Sequence, residues 1–76
     1  MKTLNDEEIS NALARVAANY IIGITALNKS DIPSNDFEDC VDKLTDNTIC
    51  LASILYGKEG VEFVNNTAIK YGIRGL

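Results

Sequence analysis

Residues 5–28 read NDEEISNALARVAANYIIGITALN, and this stretch decides the first element of the fold. Asn5 is suited to cap a helix because its side-chain oxygen can accept a free backbone N–H of the first turn, and Glu8 can return a bond to Asn5. Apolar residues then recur every three or four positions, which is typical of a helix with one buried face. They are Ile9, Leu13, Val16, Tyr20, Ile24 and Leu27. We predict a first helix over about residues 5–28.

A loop and a second helix follow. Pro33 disfavours helical angles at Ile32, and the surrounding Asn, Ser and Asp residues favour turns. Asn35 or Ser34 is then a candidate cap, with Glu38 three residues after Asn35. The next apolar row has one polar member, and a threonine is tolerated there if its hydroxyl bonds back to its own helix. The row is Phe37, Val41, Leu44, Thr48, Leu51 and Leu55. We predict a second helix over about residues 35–56.

Two glycines mark the rest of the chain. Gly57 is suited to end the second helix in a left-handed conformation, and Gly72 to end a third helix, with Ile73 folding back on it. The helical spacing of Val61, Val64, Ala68 and Tyr71, with Phe63 displaced to one side, predicts this third helix over about residues 59–71. The expected fold is therefore all-α, with an antiparallel helical hairpin and a shorter third helix forming a three-helix bundle. We expect residues 1–76 to form a single domain.

Two stretches, residues 20–27 and 48–56, carry no charged residue on any face. A helix that is apolar all round has to be covered on every side. In the expected hairpin the two stretches lie at opposite ends, so a short third helix covers only one of them. We predict a homodimer or higher oligomer. The candidate interface residues are Tyr20, Ile21, Ile22, Leu27, Ile49, Ile54, Leu55 and Tyr56.

The net charge is −4, with 11 acidic and 7 basic residues among 76. Nucleic acids and anionic membranes attract clustered Lys and Arg, so this balance disfavours direct binding to either. The longest apolar run is also too short to cross a bilayer. The start of the second helix carries most of the excess charge and is a candidate acidic rim for a basic protein target. These residues are Asp36, Glu38, Asp39, Asp42 and Asp46.

The sequence contains no histidine, which removes the commonest general base and metal ligand. Capping and the helix dipole explain the carboxylates at helix starts. Cys40 and Cys50 are too far apart on one helix to form a disulfide, and we expect both to be small buried side chains in a reducing cytoplasm. We therefore predict no catalytic residue, no metal and no cofactor, and a protein that is not an enzyme.

Near the carboxyl end, Lys70, Tyr71 and Arg74 combine two cations with an aromatic ring. Repeated at subunit junctions, they would suit a small anionic, nucleotide-like ligand. An oligomer that sequesters such a ligand is the alternative function.

The size, the acidic surface and the lack of catalytic groups favour a binding protein that blocks a target sterically. Small accessory or inhibitor proteins of phages and mobile elements are of this kind. The expected partners are a second copy of the chain and a basic protein target.

Overall fold

The computed structural model describes residues 4–76, and these residues are all-α. Helix α1 spans Asp6–Asn28 and helix α2 spans Ser34–Lys70. The prediction of three helices is wrong, because residues 34–70 are assigned to one 37-residue helix. No strand occurs within the described residues.

The start of α1 confirms the predicted capping box. The Glu8 N–H donates to Asn5 Oδ1 over 2.8 Å, and the Asn5 N–H donates to Glu8 Oε1 over 3.2 Å. The start of α2 differs from its prediction, since Pro33 is the N-cap residue and no side chain caps the helix. Pro33 fixes its own φ near the value that enters a helix but offers no side-chain acceptor.

A kink at Tyr56 and Gly57 divides α2 into two arms, residues 34–55 and residues 58–70. A straight 37-residue helix would be about 55 Å long, whereas the longest dimension of the molecule is 42 Å. Gly57 has φ +58° and ψ −147°, a region that is essentially restricted to glycine. The predicted positive φ at Gly57 is confirmed, but it bends α2 without ending it.

Both arms pack on α1 in two clusters. In the first, Leu13 and Ala17 of α1 meet Ala52 of the first arm and Val64 of the second. The second cluster lies nearer the loop and contains Tyr20, Ile24, Val41 and Ala68. Because early α1 residues meet late residues of the first arm, these two segments are antiparallel, and the second arm runs back alongside α1.

Gly60 allows the two arms of α2 to touch. It is buried, and a Cβ atom added there would collide with the Ala52 carbonyl oxygen and approach Tyr56 Cβ to 3.2 Å. Thr48, the polar member of the apolar row, is buried and donates its hydroxyl to the Leu44 carbonyl oxygen over 2.7 Å. The predicted back-bond is therefore confirmed.

The last residues fold back onto the helices, as predicted for Gly72 and Ile73. The Ile73 N–H donates to the Ala68 carbonyl and the Gly72 N–H to the Ile69 carbonyl, which is the Schellman pattern. Farther along, the Leu76 N–H donates to Asn65 Oδ1 over 2.8 Å. Leu76 packs against both clusters, so the tail closes the core.

Candidate functional site

The first predicted interface stretch, residues 20–27, is split between core and surface. Tyr20 is completely buried, so its assignment to an interface is wrong. It lies on the α1 face that both arms cover, and its hydroxyl donates to the Arg74 carbonyl oxygen. Ile21 and Leu27 are half-buried, while Ile22 is 65% exposed. Ile22 is therefore the member of this stretch that remains available to a partner.

The second predicted stretch, residues 48–56, is also divided. Ile49 and Leu55 are half-buried within the monomer. Ile54 is 75% exposed and Tyr56 is 49% exposed. Leu51 is exposed as well, although its place in the apolar row predicted burial. Apolar residues of both stretches thus remain on the surface, so the second arm leaves neither fully covered.

An apolar groove runs between α1 and the second arm of α2. Its α1 side combines small alanines with isoleucines, and its α2 side is formed by Thr67 and Tyr71. The Thr67 hydroxyl donates to the Phe63 carbonyl oxygen, so its hydrogen is already bonded. The α1 residues of this groove are Ala14, Ala17, Ala18, Ile21 and Ile22. This surface is called the α1 groove below.

A second groove lies at the kink end of the molecule. Exposed Tyr56 and Phe63 stand at its α2 side, and α1 contributes mainly apolar residues with one carboxylate. Its α1 residues are Asp6, Ile9, Ser10 and Leu13. Phe63 and Tyr71 line apolar grooves at the surface, which was not predicted for either residue. Phe63 lies off the row formed by Val61, Val64, Ala68 and Tyr71, and this displacement indicated a surface position. Tyr71 continues that row, so its exposure could not be predicted from the spacing.

All five residues of the predicted acidic rim are exposed. One of them, Asp39, forms an ion pair of 2.9 Å with Lys43. The hydrogen bond to Asp39, followed by its charge, raises the pKa of Lys43 above its ordinary 10.5. Helical spacing places Asp39, Asp42 and Asp46 on one face of α2. Glu38, four residues before Asp42, lies at one edge of this face, and Asp36, three residues before Asp39, lies at the other.

The three residues proposed for anion binding do not form one site in the monomer. Tyr71 lines the α1 groove, and Lys70 is exposed. Arg74 shares a cleft with two carboxylate residues, Glu38 and Asp42. Carboxylates beside the guanidinium compete with an anionic ligand for its charge. An anion site built from this set would need residues of more than one subunit.

Both cysteines, Cys40 and Cys50, are exposed free thiols, so the prediction that they are buried is wrong. Cys40 directly precedes the buried Val41, and one step along a helix moves a side chain by about 100° to another face. Among residues 4–76, no group of three or more Cys, Asp or Glu side chains is placed to hold a metal ion. Within the same range, neither helix is both long enough and apolar enough to cross a membrane.

Comparisons with known protein families, curated proteins and solved structures found no match for this chain.

Proposed function

We propose that this protein is a non-catalytic helical interaction protein that works as an oligomer of identical chains. The exposure of large apolar side chains carries the proposal. Ile54, Tyr71 and Ile22 are 75%, 67% and 65% exposed. Single exposed apolar residues are normal, but here Ile22 and Tyr71 border the same apolar groove, and contiguous apolar surface is typical of an interface.

The site chemistry favours binding over catalysis. The two grooves are lined mostly by apolar side chains, and the Thr67 hydroxyl of the α1 groove is already bonded. Since the sequence has no histidine, a general base would have to come from a carboxylate, thiol, tyrosine or lysine. The polar side chains of the kink-end groove are Asp6, Ser10 and Tyr56, whereas the α1 groove contains no carboxylate or thiol.

The proposed oligomer also binds a basic protein target and blocks it sterically. The exposed face with Asp39, Asp42 and Asp46 lies on the first arm of α2, and this arm contributes no residue to the lining of the α1 groove. An oligomer formed through α1 would leave this acidic face free, and its charge would speed encounter with a basic protein. We place this activity in the cytoplasm, where two exposed thiols stay reduced.

Sedimentation equilibrium over a hundredfold range of protein concentration tests the oligomer. We expect a mass of two or more chains that falls towards 8.3 kDa on dilution. A mass of one chain throughout that range would refute the proposal.

A further inference from the structure

One exposed face of α1 carries a row of residues whose spacing is symmetric about its central residue. Successive members lie 4, 3, 4, 4, 3 and 4 positions apart, which keeps them on one side of a helix. All are exposed except Thr25, which is half-buried. The row is Glu7, Asn11, Ala14, Ala18, Ile22, Thr25 and Lys29. It is called the α1 row below, and Ala18 is its midpoint.

A row with this symmetry can face a second copy of itself. In an antiparallel pair of α1 helices related by a two-fold axis beside Ala18, residues at equal distances on either side of Ala18 meet across the interface. Ala14 then faces Ile22 of the partner subunit, and Asn11 faces Thr25 of the partner subunit. At the two ends, Glu7 faces Lys29 of the partner subunit.

Each of these pairings is chemically matched. Ala18 meets itself, and two methyl groups let the helix backbones approach closely. Ala14 provides space for the larger Ile22 of the partner subunit, and 65% of Ile22 is exposed in the single chain. The α1 groove includes both Ala14 and Ala18, so the same strip provides a hole and the side chain that fills it. Such self-complementarity is what a two-fold interface requires.

The polar members can enter this interface without losing existing partners. Within residues 4–76, the single ion pair is Lys43 with Asp39, so Glu7 and Lys29 have no salt-bridge partner there. The Thr25 hydroxyl already donates to the Ile21 carbonyl oxygen over 2.7 Å.

The ends of the row add charge complementarity. Glu7 lies in the first turn of α1, and Lys29 is its C-cap residue. In the antiparallel pair, the amino end of each helix lies beside the carboxyl end of the partner helix. Opposite side-chain charges and opposite ends of the helix dipoles are then adjacent, and both attractions stabilise the dimer.

From these observations we infer that two copies of the chain associate through the α1 row, with the helices antiparallel and the two-fold axis beside Ala18. This inference rests on the proposed self-association and specifies its surface and register. Tyr71, on the opposite side of the α1 groove from Ile22, borders the interface and adds apolar area to it. The acidic face of α2 takes no part.

Cysteine cross-linking tests the register. In a chain with Cys40→Ser and Cys50→Ser, the added Ala18→Cys places two thiols at the two-fold axis, and mild oxidation should link the subunits. Ala14→Cys is the matched control, because it lies four residues from the axis, so the two Cα atoms are about 12 Å apart along the helices. A disulfide requires about 7 Å or less. We expect the cross-linked dimer for Ala18→Cys and little for Ala14→Cys.

Charge reversal tests the pairing at the ends. Glu7→Lys or Lys29→Glu alone puts like charges together at two symmetric positions. Either variant should raise the dissociation constant of the dimer about tenfold. The double variant restores opposite charges and should dimerise like the unmodified protein. Asp6→Lys is the control for loss of an acid from the first turn of α1, because Asp6 faces the groove at the kink end. Dimerisation should be unchanged in that variant.

The outcomes separate the inference from the function on which it rests. Equal cross-linking of Ala18→Cys and Ala14→Cys would refute the α1 interface but not self-association. A dissociation constant that is unchanged by the charge reversals at Glu7 and Lys29 would have the same meaning. A single chain at every concentration would overturn both. Restored dimerisation in the double variant, together with selective cross-linking at Ala18→Cys, establishes the surface and the register.

Discussion

The side-chain hydroxyl of Tyr20 donates a hydrogen bond of 3.2 Å to the main-chain carbonyl oxygen of Arg74. The two residues are 54 positions apart, and Tyr20 is completely buried. This bond satisfies a polar atom in the core and holds the carboxyl-terminal tail against α1. Tyr20 therefore joins the first helix to the last residues of the chain.

Tyr20→Phe should lower the free energy of unfolding by about 1 kcal/mol, because the ring is kept while a net hydrogen bond is lost and the Arg74 carbonyl loses a partner. Urea denaturation at fixed protein concentration measures the change. Tyr56→Phe is the control, since Tyr56 is half exposed, and surface substitutions of this kind change stability by less than about 0.5 kcal/mol. Equal stability of the two variants would show that the bond to Arg74 contributes nothing.

Gly57→Ala should destabilise the protein by about 1–3 kcal/mol through the backbone alone. Gly57 has φ +58°, and a Cβ atom added there would meet nothing within 4 Å. The cost therefore comes from forcing a side chain into a conformation that only glycine adopts freely. Thermal unfolding followed by circular dichroism measures it, with Lys58→Ala as a neighbouring helical control. An unchanged midpoint would mean that α2 does not need this conformation to bend.

The local features of this fold could be predicted because they depend on neighbouring residues. The capping box of Asn5 and Glu8, the back-bond of Thr48 and the glycine at Gly72 each involve groups within five positions of one another. A positive φ at Gly57 was also predictable from residue type. Its consequence was not, because the direction of the second arm depends on how both arms pack against α1 and not on the residue type at the kink.

The surface residues were harder to predict because they depend on how the segments pack. Tyr20 and Ile22 lie two positions apart in one apolar stretch, yet the first is buried and the second exposed. Periodicity indicates which residues share a face of α1, but the position of the second arm decides which faces are covered. Tyr71 joins Ile22 at the α1 groove only because α2 folds back at Gly57.

Asp39→Asn should lower the pKa of Lys43 towards its ordinary 10.5, because the neutral amide weakens the hydrogen bond to the ammonium and removes the negative charge that also favours it. The raised pKa means that the pair stabilises the folded state fully below pH 10.5 and loses this contribution as the pH rises through the folded-state pKa. NMR titration of the Lys43 side chain measures the shift. Asp42→Asn is the control and should leave the raised pKa of Lys43 unchanged, since Asp42 forms no ion pair with Lys43.

Gly60→Ala and Gly23→Ala should have different effects on the free energy of unfolding, although both place a methyl group against a close neighbour. At Gly60 the neighbour is the Ala52 carbonyl oxygen, which is backbone, so the two arms of α2 would have to separate. At Gly23 it is Leu44 Cδ2 at 2.6 Å, the end of a flexible side chain. Alanine also favours a helix over glycine by about 1 kcal/mol, which partly offsets the repacking of Leu44.

We therefore expect Gly60→Ala to reduce the free energy of unfolding by about 2 kcal/mol or more, and Gly23→Ala to change it by less than about 1 kcal/mol. Urea denaturation of the two variants side by side measures the difference. If Gly60→Ala is as stable as the unmodified chain, the arms are not in backbone contact at Ala52. In that case the close return of α2 on itself, which places Tyr71 beside Ile22, would be wrong.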